Sequence, residues 1–162
     1  MPSLDVRRSI SIAAPADIVR RQFADVAHHA ETNLHRGVRF EVLNEDGARC
    51  HYRQVTRVGP VRITQELELE RLDEGPLINT VISGQFAGGT ITFDVQPDGA
   101  DRSTVEARLD AEVRGLDAVV APLLRRSVRR AFARGLEEDR NDLESGSYEG
   151  YTNSDIAPGA VL

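Results

Sequence analysis

The sequence has one cysteine, one methionine, no tryptophan and no long apolar segment. A single cysteine, Cys50, excludes an intrachain disulfide and provides too few thiols for a metal cluster held by cysteine alone. No stretch approaches the roughly 20 apolar residues that a helix needs to cross a bilayer, and the start at Met1 lacks the pattern of a signal peptide. We therefore expect a chain without an integral membrane segment, located in the reducing cytoplasm.

The charge of the chain argues against two classes of partner. A formal net charge of -6 disfavours general attraction to nucleic acid and to anionic lipid. A local exception is the arginine stripe, which we define as the five arginines on one side of the last predicted helix: Arg125, Arg126, Arg129, Arg130 and Arg134. We expect no nucleic-acid partner and interpret the stripe as a solvated helix face.

The longest periodic segment, Gly115 to Glu144, predicts an amphipathic helix. After Pro122 its apolar and small residues fall on one face: Leu124, Val128, Ala131, Phe132, Gly135 and Leu136. The apolar stripe before Pro122 points in another direction, so a kink or a helix restart is expected at this proline. Gly146 predicts the end of the helix, because glycine suits a left-handed cap.

Residues upstream of this helix alternate with the period of a strand over most of their length. A first strand is predicted from Val6 to Ala13, followed by two short helices, the second from Ala27 to Asn33. Turn signals then divide residues 38–112 into six strands. Short sequential turns predict an antiparallel meander with one apolar face, which the long helix covers. The facing of the strand Ile78 to Phe86 stays open, because apolar residues occur at both parities.

This order of elements resembles the START-like superfamily of helix-grip proteins, also described as SRPBCC or polyketide cyclase/dehydrase-like. The resemblance rests on the strand-to-helix entry Ser9 to Val19 and on the ending Arg114 to Leu136 with Leu143-Glu144, in a domain from Met1 to Glu144. It implies an α+β helix-grip fold, in which a curved antiparallel sheet of about seven strands wraps a long C-terminal helix and two short helices follow the first strand. A hydrophobic cavity between sheet and helix is also implied.

The candidate ligand-binding residues are those that face this predicted cavity. They are Phe40, Tyr52, Gln54, Gln65, Leu67, Phe93, Leu124, Val128, Phe132 and Gly135. The polar groups of Tyr52, Gln54 and Gln65 need partners when they are buried. A ligand is one such partner, and the alternative is that these groups bond each other, the backbone or trapped water. Tyr52 is the only inward candidate for acid–base catalysis.

Three classes of function remain open. The resemblance implies binding or transport of a hydrophobic small molecule, such as a lipid, a quinone or a polyketide-like compound. The first alternative is a polyketide cyclase/dehydrase-type enzyme acting on an aromatic or polyketide substrate. A further alternative is a protein-interaction module that uses the arginine stripe or the histidine-rich helix. The ligand, the reaction and the oligomeric state do not follow from the sequence. A homodimer is one open alternative, and no cofactor is expected.

Three of the four histidines lie close together with one carboxylate: His28, His29, Glu31 and His35. Imidazole and carboxylate groups are ligands that zinc prefers, but this spacing matches no recognised site. We therefore predict that these residues form a polar rim on the second short helix and that they hold no metal.

The segment after the long helix, Ser145 to Leu162, lacks apolar periodicity and is rich in turn-forming residues. It predicts a flexible C-terminal tail. On this basis, ending the chain at Gly146 is expected to leave its thermal stability nearly unchanged.

Overall fold

The computed structural model describes residues 3–113, 119 and 121–149. The strands are β1 (Ser3–Ile12), β2 (Val38–Glu45), β3 (Arg49–Val58), β4 (Val61–Glu70), β5 (Leu77–Ser83), β6 (Thr90–Pro97) and β7 (Ser103–Glu112). The helices are α1 (Ala16–Ala24), α2 (Val26–Thr32) and α3 (Ala121–Glu144). This architecture confirms the predicted α+β class and the helix-grip order of elements.

The seven strands form one antiparallel sheet in the order β1-β7-β6-β5-β4-β3-β2. Strands β2 to β7 follow one another as hairpins, as their short turns require. The first strand in the sequence instead pairs with the last, from Ser3 opposite Glu112 to Ile12 opposite Ser103. The sheet therefore has β1 and β2 at its edges, and α3 packs across its inner face.

In β4, burial follows the predicted alternation except at its hairpin with β3. In β4, every second residue from Ile63 to Leu69 is buried. Val61, which by the alternation of β4 has the same parity as Ile63 and Leu69, is nevertheless 52% exposed. It forms the last cross-strand pair before the turn, opposite Val58, and so lies at the tip of the hairpin rather than over the core. The strand whose facing was open is now assigned, since its buried members are Leu77, Asn79 and Val81.

Helix α3 begins at Ala121 and carries Pro122 in its first turn, where the missing amide proton costs no helical hydrogen bond. Residues 114–118 and 120, which include most of the stripe predicted before this proline, lie outside the described residues. The helix ends as predicted, with Gly146 beyond it at a φ of 76°. Within the described part of the chain, no helix is long and apolar enough to cross a membrane.

The described part of the C-terminal segment packs on the domain. Tyr148 is 1% exposed, and its hydroxyl donates a hydrogen bond to Asp25 Oδ2 at 3.1 Å. Its ring meets the His28 ring edge-on, with 4.8 Å between centroids. The prediction of a flexible tail from Ser145 onward is therefore wrong at Tyr148, because one aromatic side chain can dock without any apolar periodicity around it. Residues 150–162 lie outside the described part.

The single cysteine is expected to be chemically inert in the native protein. Cys50 is fully buried on β3, and burial, followed by the negative charge of Glu45, raises the pKa of its thiol to about 11. Because the thiolate is the reactive form, only about one thiol in a thousand is in that form at any moment at a pH near 8, which makes alkylation slow. We expect iodoacetamide to leave the native protein unmodified and to alkylate it in denaturant, as measured by intact mass. Similar rates in both conditions would contradict this.

Candidate functional site

A cavity of about 170 Å³ lies between the inner face of the sheet and α3. Its wall is mainly apolar and includes Phe23 of α1, Phe93 of β6 and Phe132 of α3. The Phe93 ring packs against both of the others, with centroid distances of 5.1 Å to Phe23 and 6.3 Å to Phe132. A dry protein cavity of about 150 Å³ accommodates benzene. The volume here is therefore sufficient for at least one ring of an apolar molecule.

Eight of the ten predicted ligand-binding residues line this cavity. They are Phe40, Tyr52, Gln54, Gln65, Phe93, Val128, Phe132 and Gly135. Leu67 does not line it, because this residue is fully buried in the sheet opposite Tyr52 and Val81. Leu124 is half-buried near the start of α3 and packs on the core instead. Ligand binding by the eight lining residues stays a prediction.

Two of the three inward polar side chains have protein partners. The Tyr52 hydroxyl donates to Asn79 Oδ1 at 2.8 Å, and Asn79 Nδ2 donates to the backbone oxygen of Ile91 at 3.2 Å. Gln54 Nε2 donates to Thr56 Oγ1 at 3.0 Å. Burial raises the pKa of Tyr52 well above its ordinary value, so its hydroxyl stays protonated. Tyr52 is therefore a neutral hydrogen-bonding group and not a general base.

The third inward polar side chain, Gln65, is different. It is 6% exposed and lines the cavity. Among the described residues, none donates a hydrogen bond to its Oε1 atom. Leaving such an acceptor buried and unpaired costs about 1 to 3 kcal/mol. The side chain that carries this unpaired acceptor thus lies at the wall of the cavity.

One end of the cavity is formed by two histidines and an aspartate. His29 of α2, His35 in the following loop and Asp139 of α3 all line it. The Nε2 atom of His29 lies 3.0 Å from Asp139 Oδ1, and the Nε2 atom of His35 lies 3.4 Å from the same oxygen. The two imidazole rings stack with 5.2 Å between centroids. Three titratable groups thus converge on one point at the wall of an apolar cavity.

Other groups hold both imidazoles in place. The Nδ1 atom of His29 lies 2.6 Å from the backbone oxygen of Asp25. The Nδ1 atom of His35 lies 2.9 Å from Glu138 Oε2, and the other oxygen of Glu138 accepts from the Arg36 amide at 3.1 Å. A carbonyl and an ionised carboxylate only accept hydrogen bonds, so each Nδ1 carries the proton. In both rings, the other nitrogen, Nε2, is the one that faces Asp139.

A second histidine–aspartate pair lies beside the first and away from the cavity. His28 Nε2 is 2.8 Å from Asp142 Oδ2. The fully buried amide of Gln22 donates to both aspartates, at 3.0 Å to Asp139 Oδ1 and 3.1 Å to Asp142 Oδ2. This bridge couples α1 to α3 and fixes the orientation of both carboxylates.

The electrostatics of the pair His29–Asp139 favour its charged form. Burial by itself lowers the pKa of His29, but the hydrogen bond and the charge of Asp139, with a contribution from Asp25, outweigh burial and raise it. Burial favours protonation of Asp139, yet the charge of His35 and the hydrogen bond to His29 lower the pKa of this carboxyl. A positive charge on the imidazole side and a negative charge on Asp139 therefore stabilise each other.

The prediction of a polar histidine rim is wrong. His28 and His29 are 1% and 8% exposed, and the His35 side chain is 8% exposed, because carboxylates of α3 provide them with buried partners. The histidine-rich helix thus does not offer these side chains to a protein partner. Tyr52 is also not the only inward candidate for acid–base chemistry. The signal that sequence reasoning missed is the position of Asp139, four residues after Gly135 on the buried face of α3.

Comparison with protein families gives a match over most of the chain. The profile described as "Polyketide cyclase / dehydrase and lipid transport" matches residues 3–144. The chain belongs to this family. No curated protein sequence matches the chain.

Solved structures of other proteins share the fold of this member of the polyketide cyclase/dehydrase and lipid transport family. A protein from Thermus thermophilus is 21% identical, with a TM-score of 0.79 over 88% of this chain and 99% of that one. The Zhui aromatase/cyclase from a Streptomyces species is 16% identical, with a TM-score of 0.71 over 99% and 100%. A START superfamily protein from Mycobacterium smegmatis is 14% identical, with a TM-score of 0.73 over 87% and 97%. Such identities show a shared fold alone.

Proposed function

We propose that this protein binds or carries a small hydrophobic molecule, such as a lipid, a quinone or a polyketide-like compound, in the cavity between the sheet and α3. The family description, which includes lipid transport, and the apolar wall around the cavity support this proposal. The observation that carries it is the unpaired Oε1 atom of the buried Gln65. Cytoplasmic location and the absence of a nucleic-acid partner remain part of the proposal.

Gln65 defines the kind of molecule that the cavity favours. The neighbouring amides of Gln54 and Asn79 already donate hydrogen bonds to protein groups. A ligand hydroxyl or N–H group at Gln65 Oε1 would recover the stability lost by burying that atom unpaired. We therefore infer a ligand with an apolar body and a hydrogen-bond donor, rather than a plain hydrocarbon.

The variant Gln65→Leu tests this inference, because it separates folding from binding. Replacing a buried amide whose oxygen is unpaired with an apolar group of similar size is nearly neutral or stabilising, so the melting temperature should stay the same or rise. The loss of one ligand hydrogen bond, worth about 1.4 kcal/mol, should weaken ligand retention about tenfold. Native mass spectrometry of the purified protein measures retained molecules, and displacement of a hydrophobic fluorescent probe measures affinity.

Gln54→Leu is the matched control. Gln54 lines the same cavity but its amide already bonds to Thr56, so this variant should lose about 1 kcal/mol of stability and retain more of the ligand than Gln65→Leu does. Retention in Gln65→Leu equal to that of the parent would contradict the role of Gln65. A parent protein that carries no small molecule and binds no hydrophobic probe would contradict the proposed function itself.

A second candidate is an enzyme that cyclises or dehydrates an aromatic or polyketide substrate. The observation that favours it is the presence of the His29 and His35 rings at the cavity wall, since imidazole transfers protons near neutral pH. An enzyme would release an altered product, whereas a carrier would return the bound compound unchanged. The masses of molecules before and after incubation with the protein distinguish these two functions.

A further inference from the structure

The two histidines and the aspartate at the end of the cavity form a group with the composition of a metal site. One ligand atom from each of His29, His35 and Asp139 lies within 4.8 Å of the others. We propose that His29, His35 and Asp139 bind a divalent transition metal ion, with its remaining coordination positions open to the cavity.

The distances among the three side chains suit such an ion. Ligand atoms about 2.1 Å from a metal, separated by tetrahedral or octahedral angles, lie about 3.0 to 3.4 Å from one another. The two imidazole Nε2 atoms lie 3.0 Å and 3.4 Å from Asp139 Oδ1. All three ligand atoms lie within 4.8 Å of one another, so a bound ion would have to draw the more distant pair closer together. The carboxylate and imidazoles are thus already grouped around one point.

The hydrogen bonds behind the rings are those that metal-binding histidines use. Histidine ligands of metals almost always donate their other ring N–H to a carbonyl or a carboxylate, which fixes the tautomer and the ring orientation. His29 Nδ1 meets the Asp25 carbonyl, and His35 Nδ1 meets the Glu138 carboxylate. Asp139 is likewise oriented by the amide of Gln22. Each of the three proposed ligands therefore has a supporting partner.

The contact between His29 Nε2 and Asp139 Oδ1 requires a positive charge between the two atoms. With Nδ1 of His29 already protonated, its Nε2 atom faces a carboxylate oxygen at 3.0 Å. Two acceptors at that distance repel each other unless a proton or a cation lies between them. A metal ion bound there would neutralise the buried carboxylate and satisfy both imidazoles at once.

The donor set indicates the class of ion. Two imidazoles and one carboxylate bind ferrous iron and zinc, and three protein ligands leave positions for water or a bound molecule. The three residues line the same cavity as Gln65, so a molecule held there would reach those open positions. The site would be present whether or not the cavity carries an apolar ligand.

The test begins with the unmodified protein. After treatment with a chelator, we expect it to bind one equivalent of Zn²⁺ by titration calorimetry. Co²⁺ should give the visible absorption of an ion held by nitrogen and oxygen ligands, and Zn²⁺ should abolish that absorption by competition. A protein that binds less than one equivalent, or that shows only the spectrum of hydrated Co²⁺, would overturn the proposal without any variant.

Variants then locate the site. The double variant His29→Gln/His35→Gln should weaken Zn²⁺ binding at least about 100-fold, and Glu138→Ala should weaken it about 10-fold through the loss of support for His35. His28→Gln is the matched control, because His28 is also buried against an aspartate but does not line the cavity. It should bind Zn²⁺ as the parent does.

Equal binding by the parent and the double variant would place the metal elsewhere and leave these residues as ion pairs alone. Circular dichroism shows whether the variants fold. If the double variant does not fold, the stoichiometry and the Co²⁺ spectrum of the parent decide the outcome. Because these measurements use metal ions alone, their failure is distinct from a failure to bind an apolar molecule.

Discussion

Replacing Tyr148 with alanine is expected to lower the free energy of unfolding by about 3 to 5 kcal/mol, the usual cost of removing a buried aromatic ring. The ring is 1% exposed and packs edge-on against His28. Its hydroxyl also donates to Asp25, whose other carboxylate oxygen accepts from the His28 amide and so caps α2. Urea denaturation with an unchanged slope would measure the loss directly.

Three matched changes separate the contributions of Tyr148. Tyr148→Phe keeps the ring and removes one hydrogen bond, so it should cost about 1 kcal/mol. Ending the chain at Gly146 should destabilise the protein as strongly as the alanine variant. Ending it after Glu149 should have little effect, as the composition of the remaining segment predicts. A loss below about 1 kcal/mol in Tyr148→Ala would show that this side chain contributes little to the fold.

Replacing Gly135 with leucine is expected to keep or raise stability while reducing the binding of a hydrophobic fluorescent probe at least about tenfold. Glycine costs a helix about 0.8 to 1 kcal/mol relative to alanine, so a glycine on the inner face of α3 needs a local reason. A β-carbon at this position would meet only the His35 ring among the described residues, at 3.8 and 3.9 Å, which is ordinary contact. The backbone of the sheet is not close enough to require glycine.

The space that Gly135 leaves belongs to the cavity. A leucine side chain there would occupy the volume that the probe uses and would gain helix propensity. Gly135→Ala is the control, because it gains the same propensity but adds one methyl group and should largely preserve binding. Thermal melting and probe fluorescence measure both effects. If Gly135→Leu melts well below the parent, α3 is packed closely against its neighbours there and the cavity does not extend to this position.

Much of the fold could be predicted from periodicity, because alternation and helical spacing report directly which face an element buries. The inward set of β4 from Ile63 to Leu69 and the end of α3 before Gly146 follow from such local patterns. Val61 does not, since its position at the tip of a hairpin removes it from the core despite the correct parity. The burial of Tyr148 was also not predicted, because a single docked ring leaves no repeating pattern in the sequence.

The same patterns predicted the apolar wall of the cavity, but they did not predict its polar end. His29 and Asp139 lie 110 positions apart, and no local pattern marks either of them as buried. Hydrophobic periodicity treats Asp139 as a solvent-facing residue, although it continues the inner face of α3 beyond Gly135. Whether the amide of Gln65 finds a hydrogen-bond partner depends on the neighbouring strands and on the cavity beside it. No local sequence pattern reports either of these. The chemistry of the site could therefore be inferred only from the tertiary contacts.

The pairing of β1 with β7 has a consequence for how the chain folds. Arg108 of β7 reaches Asp5 of β1 across 103 positions, and the amide of Ala13, just after β1, donates to Glu144 at the end of α3. Closing so long a loop is entropically costly, and contacts between distant residues slow folding. Strand β1 leaves the ribosome well before β7 and α3, so its contacts with both cannot form until they have been synthesised. Until they emerge, the apolar side of β1 has no sheet to join and stays exposed to solvent.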